Sequence, residues 1–113
     1  MRDNTGINKI FLLGQIATEP HLHRGKTDEY RFTLITKEVH DKKGEEVEHL
    51  EYHNVRLPIT LLLHHIQPQQ GQSVHIEGKI HTEAWTDEQG VKRYSTEIIA
   101  LQFNVLDVGT DLP

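Results

Sequence analysis

From Ser73 to Trp85 the side chains alternate without interruption. Val74, Ile76, Gly78, Ile80, Thr82 and Ala84 fall on one side of an extended chain, and His75, Glu77, Lys79, His81, Glu83 and Trp85 on the other. A two-residue repeat of this kind specifies a strand with one face toward a core and one toward water, so an all-helical fold is excluded. The same period recurs upstream. Residues 30–38 place Tyr30, Phe32 and Leu34 on one face and Arg31, Thr33 and Ile35 on the other. Residues 47–57 set His53, Val55 and Leu57 against Leu50, Tyr52, Asn54 and Arg56. Residues 7–16 are apolar on both faces, with Ile10 and Leu12 opposite Phe11 and Leu13, which calls for cover from two directions. The domain core supplies one cover, and a second subunit over Phe11 and Leu13 is the candidate for the other.

Breakers divide the strands. Pro20 and Gly25 punctuate a polar segment over 18–29, Lys43-Gly44 forms the tip of a charged turn over 41–46, and Asp87-Glu88-Gln89-Gly90 closes a hairpin onto a last strand over 92–106. After Pro58, the residues Ile59, Leu62, Leu63 and Ile66 recur at spacings of three and four, which predicts one short helix over 59–67, ended by Pro68 and Gly71. Three strands, a helix and a two-stranded hairpin form the element order of the OB barrel: mainly β, five-stranded, with one short helix between strands 3 and 4. The pattern alone also admits another five-stranded barrel or an open α+β sheet. The 113 residues fit one domain, assigned to 1–107, with a short polar tail over 108–113.

Several function classes drop out. No run approaches the ~20 apolar residues of a membrane span, so no membrane association is expected. Residues 1–8 are polar and carry both charge signs, unlike a secretory signal. The chain has no cysteine, which removes disulfides and thiolate metal sites and fits a reducing cytoplasm. His21-x-His23 and His64-His65 lack the carboxylates at fixed spacing that a hydrolytic metal site needs, so surface histidines are the expectation and no metal or other cofactor is. Ser73 and Ser95 have no nucleophile context and no glycine-rich loop cradles a phosphate. A binding module, not an enzyme, is therefore expected.

Trp85 falls on the polar face of its strand, beside the hairpin. A solvent-facing indole there is either a stacking platform for a nucleobase or a residue covered by its own hairpin or a subunit. Tyr52 shares a face with Asn54 and Arg56, which joins a stacking plane to a phosphate-binding cation. Arg31 and Lys79 also fall on outward positions, and Lys9, Lys37, Lys42, Lys43, Lys92 and Arg93 complete the candidate cations. Against this stands a net charge of −5 with the nine histidines neutral, unfavourable for a phosphate backbone.

Four segments in order resemble the bacterial single-stranded-DNA-binding protein family: Ile7-Asn8-Lys9-Ile10 with Leu13-Gly14; Glu51-Tyr52-His53-Asn54-Val55; Gly71 to Val74 followed by Ile76-Glu77-Gly78-Lys79-Ile80; and Trp85-Thr86-Asp87 through Gly90 with Arg93-Tyr94 and Thr96-Glu97. The resemblance implies sequence-tolerant binding of single-stranded DNA in replication, repair or recombination, by a homotetramer (or a dimer) associated with the nucleoid. Its stacking positions carry over to Trp85 and, with tyrosine in place of tryptophan, to Tyr52. Lys9 matches a basic position, and His53 a position at a subunit contact. The departures are specific. A tryptophan slot falls near Val39 or His40, a phenylalanine slot on Pro58, a basic pair on Glu83-Ala84, and a further basic position on Asn54. The family's long tail, with an acidic and aromatic tip that recruits partner proteins, has no match in 107–113. These departures imply weaker or altered binding, and they admit an alternative: a diverged OB module that mainly binds proteins, resembling the dimeric primosomal replication protein.

Overall fold

The computed structural model describes residues 5–63 and 66–106. Six strands follow in chain order: β1 (Ile10–Ile16), β2 (His21–His23), β3 (Glu29–Lys42), β4 (Glu45–Pro58), β5 (Ser73–Thr86) and β6 (Lys92–Val105). Their hydrogen-bonded order is β1-β5-β6-β4-β3-β2, and β1 also pairs with β3 through Gln15↔Ile35 and Ile16↔Leu34. That last pairing closes five of the strands into a barrel and leaves β2 as an addition on the edge of β3. Every pairing is antiparallel except the short β4–β6 contact, Val55↔Ile98 and Arg56↔Ile99. This is the OB barrel expected from the element order.

Alternation fills the interior. Leu12 and Ile16 of β1, Phe32 and Leu34 of β3, Val55 and Leu57 of β4, Val74 and Ile76 of β5, and Ile98 and Ala100 of β6 form the buried core. Two glycines let strands cross closely enough to close it. A Cβ on Gly14 would run into the Ile35 carbonyl oxygen, and one on Gly78 into that of Ile99. Gly78 stands where the β5–β6 register shifts, with Leu101 as the extra residue between the pairs Glu77↔Gln102 and Gly78↔Ala100.

The five-stranded barrel is as expected, and three details differ. Three residues inside the polar segment form an additional strand that pairs with β3 as His21↔Arg31, Leu22↔Tyr30 and His23↔Glu29. All three are exposed, so no hydrophobic pattern marked them. In place of a helix over 59–67, Ile59–Leu61 form a 3-10 turn that ends with Leu62 in extended backbone at φ −88° and ψ 117°, and no α-helix occurs among the described residues of that span. Of the rest of that span, His64 and His65 lie outside the described residues. Two turns of helix are a marginal structure without tertiary support, and Leu61 and Leu62 reach the core from the tighter turn instead. Finally, Ile80, Thr82 and Ala84 do not face an interior, since all three are exposed.

That last difference follows from the shape. β3–β4 and β5–β6 each continue as a two-stranded ribbon well past the barrel. β4 and β6 run parallel and bond only at residues 55–56 and 98–99. Their preceding stretches therefore leave the barrel at the same end, as two separate arms. The first turns at Lys43 and Gly44, both at positive φ (54° and 84°), the two-residue turn whose twist suits a hairpin. The second is closed by Asp87, whose Oδ1 accepts from the backbone N–H groups of Gln89 and Val91, with Gly90 at φ 80°. The radius of gyration, 16.9 Å, exceeds the about 13 Å of a compact chain of this length. The proposed tail, 108–113, lies outside the described residues.

Candidate nucleic-acid interface

Strand register determines which side chains share the outer surface. Along β3–β4 the directly opposed pairs away from the core are Arg31↔Arg56, Thr33↔Asn54, Ile35↔Tyr52 and Lys37↔Leu50. Along β5–β6 they are Lys79↔Ile99, His81↔Glu97, Glu83↔Ser95 and Trp85↔Arg93. Because β4 pairs with β6 at Arg56↔Ile99, these rows are parts of one continuous surface. Tyr52 stands at the root of one arm and is 64% exposed; Trp85 stands near the tip of the other and is 48% exposed. Arg56 lies on the surface between them. Tyr94, 65% exposed, falls on the opposite side of its arm from Trp85, in the row with Lys92 and Thr96.

The cations differ in their surroundings. Arg56 is enclosed. Its Nε and Nη2 donate to the two oxygens of Glu29 at 2.7 and 3.2 Å, and its Nη1 donates to Glu83 at 3.2 Å and Glu97 at 3.5 Å. Arg31 donates to the same Glu29 carboxylate at 2.7 Å. Burial pushes the Glu29 carboxyl up, but hydrogen bonds and charge from Arg56 and Arg31 outweigh it and hold the group below the ordinary glutamate range. Arg93 is tied to Asp87 at 3.0 Å, Lys9 to Glu77 at 3.6 Å and Lys37 to Glu48 at 3.6 Å. The bonds from Val91's backbone and then Arg93 keep Asp87 below its usual range. Lys79, Lys42 and Lys92 are exposed. Lys42 lies at the tip of the β3–β4 arm, Lys79 in the row with Trp85, and Lys92 in the row with Tyr94.

The residues expected at a subunit contact separate into two places. Phe11 and Leu13 lie on the outer face of β1, 60% and 64% exposed. Phe11 stacks on His75 at 6.4 Å between ring centres, and the Lys9 ammonium sits 5.6 Å over its ring. Leu13 continues into a groove of about 570 Å³ lined by Ile35, Lys37, Leu50 and Leu106. His53 lies instead on the core side of β4, half-buried, with Nε2 at 2.9 Å from Thr36 Oγ1. Among the described residues no group of three or more His, Asp or Glu is placed to hold a metal, and no helix is long and apolar enough to cross a membrane.

The enclosure of Arg56 was not legible in the sequence. Glu29 read as the end of a polar segment, and its partner Arg56 is 27 residues away. Glu83 was visible as a departure from a basic position, but not as a contact of Arg56.

The Single-strand binding protein family model matches residues 7–106. The chain belongs to this family. Solved structures with the same fold include a Plasmodium falciparum SSB in complex with ssDNA, at TM-score 0.75 and 23% identity, covering 94% of this chain and 100% of the other. A deletion mutant of the single-stranded DNA binding protein from Thermus aquaticus superposes at TM-score 0.70 with 22% identity, over 90% of this chain and 51% of that one. A small single-stranded DNA-binding protein from Streptomyces coelicolor does so at TM-score 0.64 with 19% identity, over 89% and 95%.

Proposed function

We infer that the protein binds single-stranded DNA with little sequence preference, by stacking bases on Trp85 and Tyr52. The observation that carries this reading is one outer surface with two exposed aromatic rings on it, in a chain of the single-strand binding family. Any base can stack on an aromatic face, so such a surface is tolerant of sequence. Lys79, Lys37, Lys42, Lys9, Lys92, Arg93 and Arg31 are the phosphate contacts of this reading, with Asn54 as a polar contact beside Tyr52. Several of these cations already have a carboxylate neighbour and the chain is acidic. Stacking therefore carries more of the affinity than charge does, and the salt dependence is shallow for the family.

The assembly in this reading is a homotetramer built over Phe11, Leu13 and the adjoining groove, whose exposed apolar side chains support a cover by further copies. His53 is a contact residue in the same assembly. The setting is DNA replication, repair or recombination in the nucleoid-containing cytoplasm. The alternative, a dimeric OB module that mainly binds proteins, is favoured by the carboxylates around Arg56.

The test is titration of the intrinsic fluorescence with oligo(dT). Trp85 is the single tryptophan, so quenching reports on that ring directly. Quenching that weakens with salt supports DNA binding, and unchanged emission at low salt overturns it. Mass measurement in solution separates the assemblies, because a dimer with unchanged emission fits the protein-binding module.

A further inference from the structure

Arg56 lies on the outer surface between Tyr52 and Trp85, yet four of its five N–H donors bond to carboxylates of the protein itself. The carboxylates that spend them are not alike. Glu29 is 10% exposed and Glu97 14%, and both belong to the body of the surface. Glu29 grips the guanidinium through two nitrogens and fixes its plane. Glu83 is 53% exposed, lies on the arm that carries Trp85, and accepts from Arg56 Nη1, the nitrogen that also donates to Glu97. An ion pair with so exposed a carboxylate adds little to stability. Its effect on an anionic ligand is larger, because it takes the donor that the ligand would use and adds a like charge beside it.

We propose that Glu83 is an affinity-setting residue, an acidic brake that withholds Arg56 from the phosphates of a bound single strand. This rests on the DNA-binding reading above. Glu29 orients the guanidinium, Glu97 flanks it, and Glu83 is the most exposed of the three carboxylates on it. Among the described residues, His81, 3.5 Å from Glu83 on the same strand, is the other titratable side chain beside that carboxylate. A single strand therefore binds through stacking and peripheral lysines, while the best-oriented cation of the surface stays engaged.

The experiment compares the full-length protein with Glu83→Gln and Glu88→Gln, by fluorescence anisotropy of labelled oligo(dT) over a salt series. Glu88 is an exposed carboxylate at the tip of the same hairpin, so its loss changes the net charge equally without touching Arg56. Glu83→Gln is expected to tighten binding about tenfold, the gain of one charge-assisted hydrogen bond. It should also steepen the slope of log K against log salt by about 0.7, one added phosphate contact on a single strand. Glu88→Gln should leave the slope unchanged. Binding by Glu83→Gln alone, with none by the unmodified protein, also supports the brake. Equal gains for the two variants would overturn it in favour of bulk charge. Weaker binding by Glu83→Gln would overturn it in favour of a strut that positions Trp85. Absence of binding in all three proteins removes the DNA-binding reading itself, and the brake with it.

Discussion

The barrel and the two arms are built from the same strands, yet they depend on different interactions. In the barrel, one side of each strand meets others across a dry interior, and Leu34, Leu57, Val74 and Ile76 are fully buried. In the arms the same alternation continues with nothing opposite it. Val39, Val47, Leu50 and Ile80 are each at least 41% exposed. A two-stranded ribbon is marginal by itself in water, so the arms persist because their strands are rooted in a barrel that is already folded. Burial and exposure are thus divided along single strands. The first part of β4 leaves Tyr52 exposed, and its last part supplies Val55 and Leu57 to the core.

Paired truncations test that division most sharply. Leu57→Ala removes a fully buried side chain and should cost about 3–4 kcal/mol of unfolding free energy, read from denaturant midpoints. Val47→Ala, out on the first arm, should cost less than about 1 kcal/mol, since its side chain has no opposing layer. Equal losses would show that the arms are packed in solution, and the division would fail.

Glu29→Gln probes the boundary between the two regions. It leaves Arg56 and Arg31 facing a neutral amide in a half-buried site, and about 2–3 kcal/mol of stability should go with it. The pH dependence carries a sign. Glu29 has a folded-state pKa below the ordinary value, so its contribution is complete at neutral pH and disappears as the pH falls through the folded pKa. Acid should therefore destabilise the unmodified protein more steeply than Glu29→Gln, and parallel pH profiles would place the stabilising carboxylate elsewhere. Trp85→Ala reverses the pattern of Leu57→Ala. Thermal unfolding should stay in place, whereas binding of labelled oligo(dT) should lose about 1–3 kcal/mol. A shifted melting temperature with intact binding would show that the indole is a structural side chain of the hairpin.

The same division explains what could be read from the sequence. Alternation identified the long strands correctly, because Val74 and Ile76 in β5, or Val55 and Leu57 in β4, obey one rule that depends on near neighbours. It could not show where the barrel stops, since Ile80, Thr82 and Ala84 keep the pattern after the interior has ended. β2 pairs through its backbone with exposed side chains and left no pattern to read. The spacing of Ile59, Leu62, Leu63 and Ile66 was a poor guide to conformation, because a 3-10 turn ending at an extended Leu62 packs Leu61 and Leu62 against the core and leaves Leu63 and Ile66 exposed. Trp85 and Tyr52 could be placed on outer faces by parity alone. That Arg56 would meet Glu29, Glu83 and Glu97 depended on three different strand pairings, which no local pattern contains.

The smallest expected effect concerns a cation in the row of Trp85. Lys79 is exposed, and its neighbours across β6 and along the outer row include Ile99 and His81 rather than the cage around Arg56. Lys79→Gln should leave stability within about 0.5 kcal/mol, as for a surface substitution away from packed features. If Lys79 touches a phosphate, the variant should flatten the slope of log K against log salt by about 0.7 and weaken binding at low salt more than at high salt. A uniform loss at every salt concentration would mean that Lys79 supports the arm rather than the ligand. An unchanged slope would take the strand off this row and toward Tyr94 and Lys92, on the other side of the same arm. Salt dependence, more than affinity, therefore decides which face of the β5–β6 arm carries the ligand.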